Sequence, residues 1–135
     1  GSSIGASAAL LAATGTLPPS APTLLDPPEV TGLALLSPGL AYRGVDIREP
    51  MEVWLSRRRP LLLFAGERDG PSADAVSVLA PVQGQGLDRE VFTGASEHGV
   101  ALCNAAPDRW ARLERWIRQT LQPPPPPPQA PLIDP

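Results

Sequence analysis

The chain has 135 residues, of which 42% are hydrophobic, and a formal net charge of −3 at pH 7. Its length suits one ordinary domain, and its charge gives no electrostatic basis for binding nucleic acid or an anionic membrane. All 11 basic residues are arginine and His98 is the one histidine, which excludes P-loop, Schiff-base and Ser–Lys chemistry as well as HExxH and three-histidine metal sites.

The first predicted element is a helix over residues 3–14, because this stretch is rich in alanine and leucine and Gly15 is a typical helix stop. A proline-rich surface loop is predicted for residues 16–28. The apolar run at residues 30–36 (VTGLALL) ends in Ser-Pro-Gly and is typical of a buried parallel strand.

The middle of the chain alternates between helical and strand patterns. Residues 47–58 predict a short amphipathic helix with Met51, Trp54 and Leu55 on its apolar side. Five consecutive apolar residues at 61–65 give the clearest buried strand. A helix over residues 71–79, with a proline in its first turn, and a short strand over residues 89–93 complete this part.

The last predicted element is a helix over residues 107–121. Its apolar face is formed by Trp110, Leu113, Ile117 and Leu121, with Trp116 beside them. Two i,i+4 ion pairs are predicted on the opposite face, Asp108–Arg112 and Glu114–Arg118. The alternation of helices and strands predicts the α/β class, a parallel sheet with flanking helices over residues 1–121, followed by a disordered Pro-rich tail over residues 122–135.

Three polar residues are placed where parallel α/β sheets bind their ligands, beyond the carboxyl ends of the strands. Ser3 precedes the first helix in a Gly-x-Ser-x-Gly stretch, and we expect any strand that feeds it to lie before Gly1. Asp69 follows the strand at 61–65, and His98 follows the strand at 89–93. The order Ser, Asp, His is that of one class of catalytic triads.

These residue types suit acyl transfer for separate chemical reasons. A serine hydroxyl becomes a good nucleophile when an imidazole takes its proton, and a carboxylate orients that imidazole. The backbone N–H of Ile4, at the positive end of the first helix, would donate to an oxyanion. We expect Gly1 and Gly5 to leave room for a tight approach of strand and helix.

Other roles stay open for the same residues. Ser3 could be a helix N-cap, with Ser2 as the competing cap. Asp69 could pair with Arg68 and leave Asp74 as the acid, and His98 could be a solvated loop histidine.

Two further features have competing interpretations. The arginines at 57–59 suit either an anionic-substrate patch or a solvated helix end. Cys103 suits a small buried residue better than a nucleophile, because it has no glycine elbow. As the single cysteine it allows no internal disulfide and no Cys-based zinc site.

Four stretches resemble the α/β-hydrolase family in its dienelactone-hydrolase-like and esterase branches. GSSIGASAAL looks like the nucleophile elbow and the following helix, and LSPGLAYRGV is similar to the segment after the sixth strand. PLLLFAGERD resembles the seventh strand and acid loop, and GASEHGVAL the histidine loop. The resemblance covers residues 1–121 and corresponds to the C-terminal half of the family's domain. The first half of the sheet, with its second oxyanion donor, and the proline-rich tail have no match.

The resemblance implies Ser3 as nucleophile, Asp69 as acid and His98 as base. It implies a serine hydrolase that cleaves a carboxylic ester, a thioester or a related acyl bond of a small-molecule substrate through an acyl-enzyme, with no metal or organic cofactor.

Two other functions remain as alternatives. The chain could be a catalytically inactive hydrolase remnant that acts as a structural or binding module. GSSIGAS could instead be a dinucleotide loop, although its glycine spacing differs from Gly-x-Gly-x-x-Gly. The run Pro123–Pro128 suits a stiff tail or a ligand for an SH3- or WW-type partner. No stretch is long and apolar enough to predict a membrane span, and the sequence assigns no compartment.

Overall fold

The computed structural model of the chain describes residues 1–16, 30–42, 45–79 and 86–122. In chain order the elements are α1 (Ile4–Thr14), β1 (Leu33–Leu36), β2 (Ala41–Tyr42), β3 (Val45–Asp46), α2 (Arg48–Ser56), β4 (Leu61–Gly66), α3 (Gly70–Val78), β5 (Leu87–Phe92), α4 (Val100–Asn104) and α5 (Pro107–Leu121). They confirm the predicted α/β class with a parallel sheet and flanking helices. The predicted loop beyond Thr16 and the tail beyond Gln122 lie outside the described residues.

Strand β4 lies at the centre of the sheet, between β1 and β5 and parallel to both. Leu61 is opposite Leu33 on one side and Leu87 on the other. All residues of β4 are buried, since neighbouring strands cover its two edges and helices cover its faces. A strand in this position must be apolar throughout, which explains the uninterrupted run in the sequence.

The first residues of the chain continue this parallel arrangement beside β1. Ser2 pairs with Leu36, the N–H of Leu36 donates to Gly1 O (2.9 Å), and the N–H of Ser3 donates to Leu36 O (2.8 Å). The sequence analysis expects a strand that leads into Ser3 to lie before Gly1. In the structure, Gly1 and Ser2 are themselves paired with β1. Ser3 therefore follows directly on a backbone segment held by the sheet.

The sheet separates two apolar cores, because alternate residues of a strand point to opposite faces. One core joins α1, α2 and α3 to the sheet, and its largest buried side chain is Trp54, whose indole N–H donates to Pro60 O (3.2 Å). The other core joins Leu62 and Phe64 of β4 to α4 and α5 through Leu102 and Leu113. The helices thus flank the sheet on both sides.

Several details differ from the sequence prediction. The first strand begins at Leu33 rather than residue 30, and the two-stranded antiparallel ribbon of β2 and β3 and the short helix α4 were not predicted. Helix α5 has the predicted bounds but buries only Leu113 of its predicted apolar face. Trp110, Ile117 and Leu121 are exposed.

One of the two ion pairs predicted for α5 is present in the structure. Glu114 and Arg118 form the expected i,i+4 pair. Arg112 pairs with Glu90 of β5 instead of Asp108, because β5 carries a charged, partly exposed stretch that faces the helix. Among the described residues, no helix is long and apolar enough to cross a membrane.

We expect Leu63→Ala to lower the free energy of unfolding by about 2–5 kcal/mol, because it opens a cavity beside the fully buried centre of β4. Leu121→Ala is the matched control, since that leucine is 65% exposed and the same truncation should change the free energy little. Urea unfolding of both variants measures the difference. Equal losses would contradict the assignment of the core.

Candidate active site

Ser3, Asp69 and His98 meet at the carboxyl edge of the sheet. Nε2 of His98 lies 2.7 Å from Oγ of Ser3, and Nδ1 lies 2.8 Å from Oδ2 of Asp69. A carboxylate only accepts hydrogen bonds, so Nδ1–H donates to Asp69 and Nε2 accepts from the Ser3 hydroxyl. The three side chains form one continuous Ser–His–Asp chain, although Ser3 and His98 are 95 positions apart in the sequence.

The backbone of Ser3 is strained. Its φ of 53° and ψ of −129° lie outside the favoured regions for a residue with a side chain. The turn is held by the N–H of Ser3 on Leu36 O and by the N–H of Ala6 on Ser3 O (2.9 Å). The Ser3 side chain makes no cap hydrogen bond to α1, so it does not serve as the N-cap side chain that the sequence left open.

Asp69 lies between β4 and α3, with its side chain 10% exposed. Its N–H donates to Gly66 O (3.1 Å), and its carbonyl oxygen accepts from the N–H groups of Ser72 and Ala73 in the first turn of α3. The carboxylate is thereby free to turn toward His98. Asp74, the competing acid, is an exposed residue of α3 and is not brought to the histidine ring.

The loop that carries His98 is fixed to the loop that carries Asp69. The N–H of Gly94 donates to Oε2 of Glu67 (2.7 Å), and the N–H of Arg68 donates to Ala95 O (2.8 Å). The His98 side chain itself stays 50% exposed. The imidazole is hydrogen-bonded to Asp69 through Nδ1 and is half exposed to solvent, so a bound molecule can contact it.

Gly99 follows His98 and has a φ of 62°. A Cβ at this position would overlap Oγ of Ser2, the residue before Ser3. Glycine is favoured here for two reasons, the positive φ and the close approach of the two segments. The bare backbone of residue 99 therefore allows the histidine loop to lie against the serine turn.

A negative charge lies next to the histidine. The N–H of Glu97 itself, the N–H of Ser96 and the nearby Arg109 hold the pKa of the Glu97 carboxyl below its usual value. Arg109 lies 3.5 Å from Glu97 and also packs over the ring of Phe92. The Glu97 carboxylate is thus a fixed anion of the histidine loop.

The glycines near Ser3 have different roles. A Cβ on Gly1 would overlap the backbone of Gly5 and Ala6, so the predicted close approach is found at Gly1. A Cβ on Gly5 would meet no described atom within 4 Å, and the steric role predicted for Gly5 is wrong. Ile4 is the first residue of α1, which puts its N–H at the helix start directly after Ser3.

The arginines at 57–59 lie at a helix end away from the triad. Arg57 donates to the carbonyl oxygens of Ala13 and Thr14 at the end of α1 (both 3.4 Å), and Arg59 donates to Val30 O (2.9 Å). Arg59 also lies over the ring of Trp54. Their contacts favour the interpretation as a helix end over that of a substrate patch.

Ser37 and Glu67 were missed by the sequence analysis. Ser37 comes directly after β1, and Glu67 comes directly after β4, the strand that also precedes Asp69; a position just after a strand is the signal that could have identified them.

No cluster of three histidine, cysteine or carboxylate side chains that could hold a metal ion occurs within the described ranges.

Comparison with protein-family models, with curated proteins and with solved structures found no match.

Cys103 is a completely buried residue of α4 in the core that includes Leu62 and Phe64 of β4, and burial raises the pKa of its thiol. We expect the folded protein to react with iodoacetamide far more slowly than the urea-unfolded chain, because the reactive thiolate is both disfavoured and shielded. Mass spectrometry of the single cysteine measures this. Equally fast alkylation in the two states would contradict the burial.

We expect Gly99→Ala to destabilise the protein more than Gly94→Ala. Both glycines have a positive φ, which costs an alanine about 1–2 kcal/mol, but only Gly99 faces Ser2. The Ser2→Ala/Gly99→Ala double variant should recover stability toward the Gly94→Ala level, since Cβ of Ser2 lies at an ordinary 3.8 Å. Thermal unfolding of the four proteins tests this. A double variant no more stable than Gly99→Ala would show that Ser2 is not the obstacle.

Proposed function

We propose that this chain is the C-terminal catalytic portion of a serine hydrolase of the α/β-hydrolase type, which cleaves a carboxylic ester, a thioester or a related acyl bond. The observation that carries the proposal is the hydrogen-bonded chain from Ser3 through His98 to Asp69, with separations of 2.7 and 2.8 Å. These distances lie in the range over which a base can take a proton from a nucleophile.

The sheet adds a second argument. Gly1–Ser2, β1, β4 and β5 lie side by side and parallel, and the nucleophile, acid and base candidates follow the first, third and fourth of these segments. In the resemblance described above, the segment after the sixth strand corresponds to the residues after β1, and the seventh strand to β4. The resemblance of these short motifs and the order of the strands thus support the same proposal.

In the proposed reaction, Ser3 Oγ attacks the acyl carbonyl carbon while His98 Nε2 takes the hydroxyl proton. The tetrahedral intermediate collapses, its bond to the leaving group breaks, and the leaving group departs with the proton from His98. Water then attacks the acyl-serine, again with His98 as base, and releases the acid and free Ser3.

Two groups would stabilise the charges that develop. Asp69 holds the ring through Nδ1–H and stabilises the imidazolium form of His98. The N–H of Ile4, at the start of α1, would donate to the oxyanion. The strained turn at Ser3 presents Oγ beyond the end of the strand.

We expect a fluorophosphonate probe to label the protein at Ser3, because the probe reacts with a serine activated by an adjacent base. Ser3→Ala should abolish labelling, and Ser77→Ala, which removes an exposed hydroxyl of α3, should leave it unchanged. Tryptic mass spectrometry locates the label. A folded wild-type protein that takes up no label would contradict the proposal, and a rise in Tm with NAD(H) would favour the dinucleotide alternative instead.

Hydrolysis of p-nitrophenyl acetate tests the roles of the other two residues. We expect His98→Ala to lower kcat by about 10⁶-fold and Asp69→Asn by about 10⁴-fold, the losses usual for a base and for its orienting carboxylate. Asp74→Asn is the matched control for the second variant and should retain wild-type kcat. Full activity of His98→Ala would refute the triad assignment.

A further inference from the structure

Ser37 is a buried polar residue that the triad does not include. It follows β1 directly, its side chain is completely buried, and its φ is 50°. Its N–H donates to Phe64 O (2.7 Å), near the end of the neighbouring strand. Burying a hydroxyl and holding a serine in the left-handed region both cost free energy, which another interaction of Ser37 must offset.

The hydroxyl of Ser37 contacts the histidine loop. Its Oγ accepts a hydrogen bond from the N–H of Gly99 (2.8 Å), and this bond is buried. Gly99 is the residue after His98, and its backbone also lies against Ser2. A single hydrogen bond thus connects Ser37 to the loop that carries His98.

The preceding residue holds the nucleophile. The carbonyl oxygen of Leu36 accepts the hydrogen bond of the Ser3 N–H (2.8 Å). Two consecutive residues, Leu36 and Ser37, therefore bind the backbone of the nucleophile candidate and the backbone next to the base candidate. The position of Ser3 relative to His98 therefore depends on hydrogen bonds to two consecutive residues at the end of β1.

We propose that Ser37 is a positioning residue that sets the distance from His98 Nε2 to Ser3 Oγ; this inference rests on the proposed hydrolase function. Without the hydroxyl, the Gly99 N–H is buried with no acceptor from Ser37, which costs free energy that the loop relieves by shifting. A shift of about 1 Å in a reacting group can lower a rate by about 100-fold. Ser37 touches neither the substrate nor the reacting atoms in this scheme.

The test uses Ser37→Ala and Ser37→Gly in the full chain. Both variants remove the hydroxyl, but alanine keeps the strain of a φ of 50° and glycine relieves it, so the two separate backbone strain from the hydrogen bond. We expect fluorophosphonate labelling of Ser3 to slow by about 10- to 100-fold in both variants, and kcat for p-nitrophenyl acetate to fall with KM unchanged. Ser7→Ala, which removes another buried serine hydroxyl, should keep the wild-type rate. Wild-type rates in both Ser37 variants would overturn the proposal while leaving the hydrolase function in place.

A second readout does not depend on turnover. His98 is the one histidine, so the imidazole signals in a ¹H–¹⁵N spectrum belong to it alone. We expect faster hydrogen exchange of the Gly99 amide and a broadened His98 Nδ1–H signal in both Ser37 variants. An unchanged His98 signal would overturn the positioning role even for a variant with altered Gly99 exchange. Absence of labelling in the wild-type protein would refute the hydrolase function and the positioning proposal that rests on it.

Discussion

The parallel pairing of Gly1–Ser2, β1, β4 and β5 is the constraint on which the candidate site depends. Parallel strands end at the same edge, so residues that follow them meet there however far apart they lie in the chain. The fully buried, apolar β4 supplies the centre of this arrangement. The geometry of the candidate site therefore depends on the packing of the sheet, because a shift in the register of β4 would move Asp69 away from His98.

The sequence predicted most of what depends on local pattern. The run at 61–65 is buried because it lies between two strands, and Asp69 and His98 were found because each follows a strand. The ribbon of β2 and β3 and the helix α4 are too short to produce a periodic signal. The exposure of Trp110 and Ile117 could not be read either, because periodicity identifies an apolar face but not what lies opposite it. The role of Ser37 depends on a partner 62 positions away, which no local pattern encodes.

Several arginine side chains in this protein connect one structural element to another. Arg57 and Arg59 donate to backbone carbonyl oxygens, and Arg109 joins the Leu102 carbonyl to the Glu97 carboxylate. Arg112 connects α5 to the charged strand β5. A planar guanidinium with several donors suits these bridging positions better than an ammonium, because it can satisfy two acceptors at once. Arg57 and Arg59, two of the three arginines for which a substrate patch was the alternative to a helix end, thus have structural partners without a ligand.

Three of the described residues with a positive φ lie where the loops meet, Ser3, Ser37 and Gly99. Two of these three positions carry a side chain that glycine would relieve of strain. Directed evolution toward heat resistance would therefore favour replacement of Ser3, on which the proposed chemistry depends, whereas at Ser37 the loss of the hydrogen bond from the Gly99 N–H opposes the relief of strain. A library screened for folding alone would lose Ser3, and a family that keeps serine there would reveal selection for something other than stability.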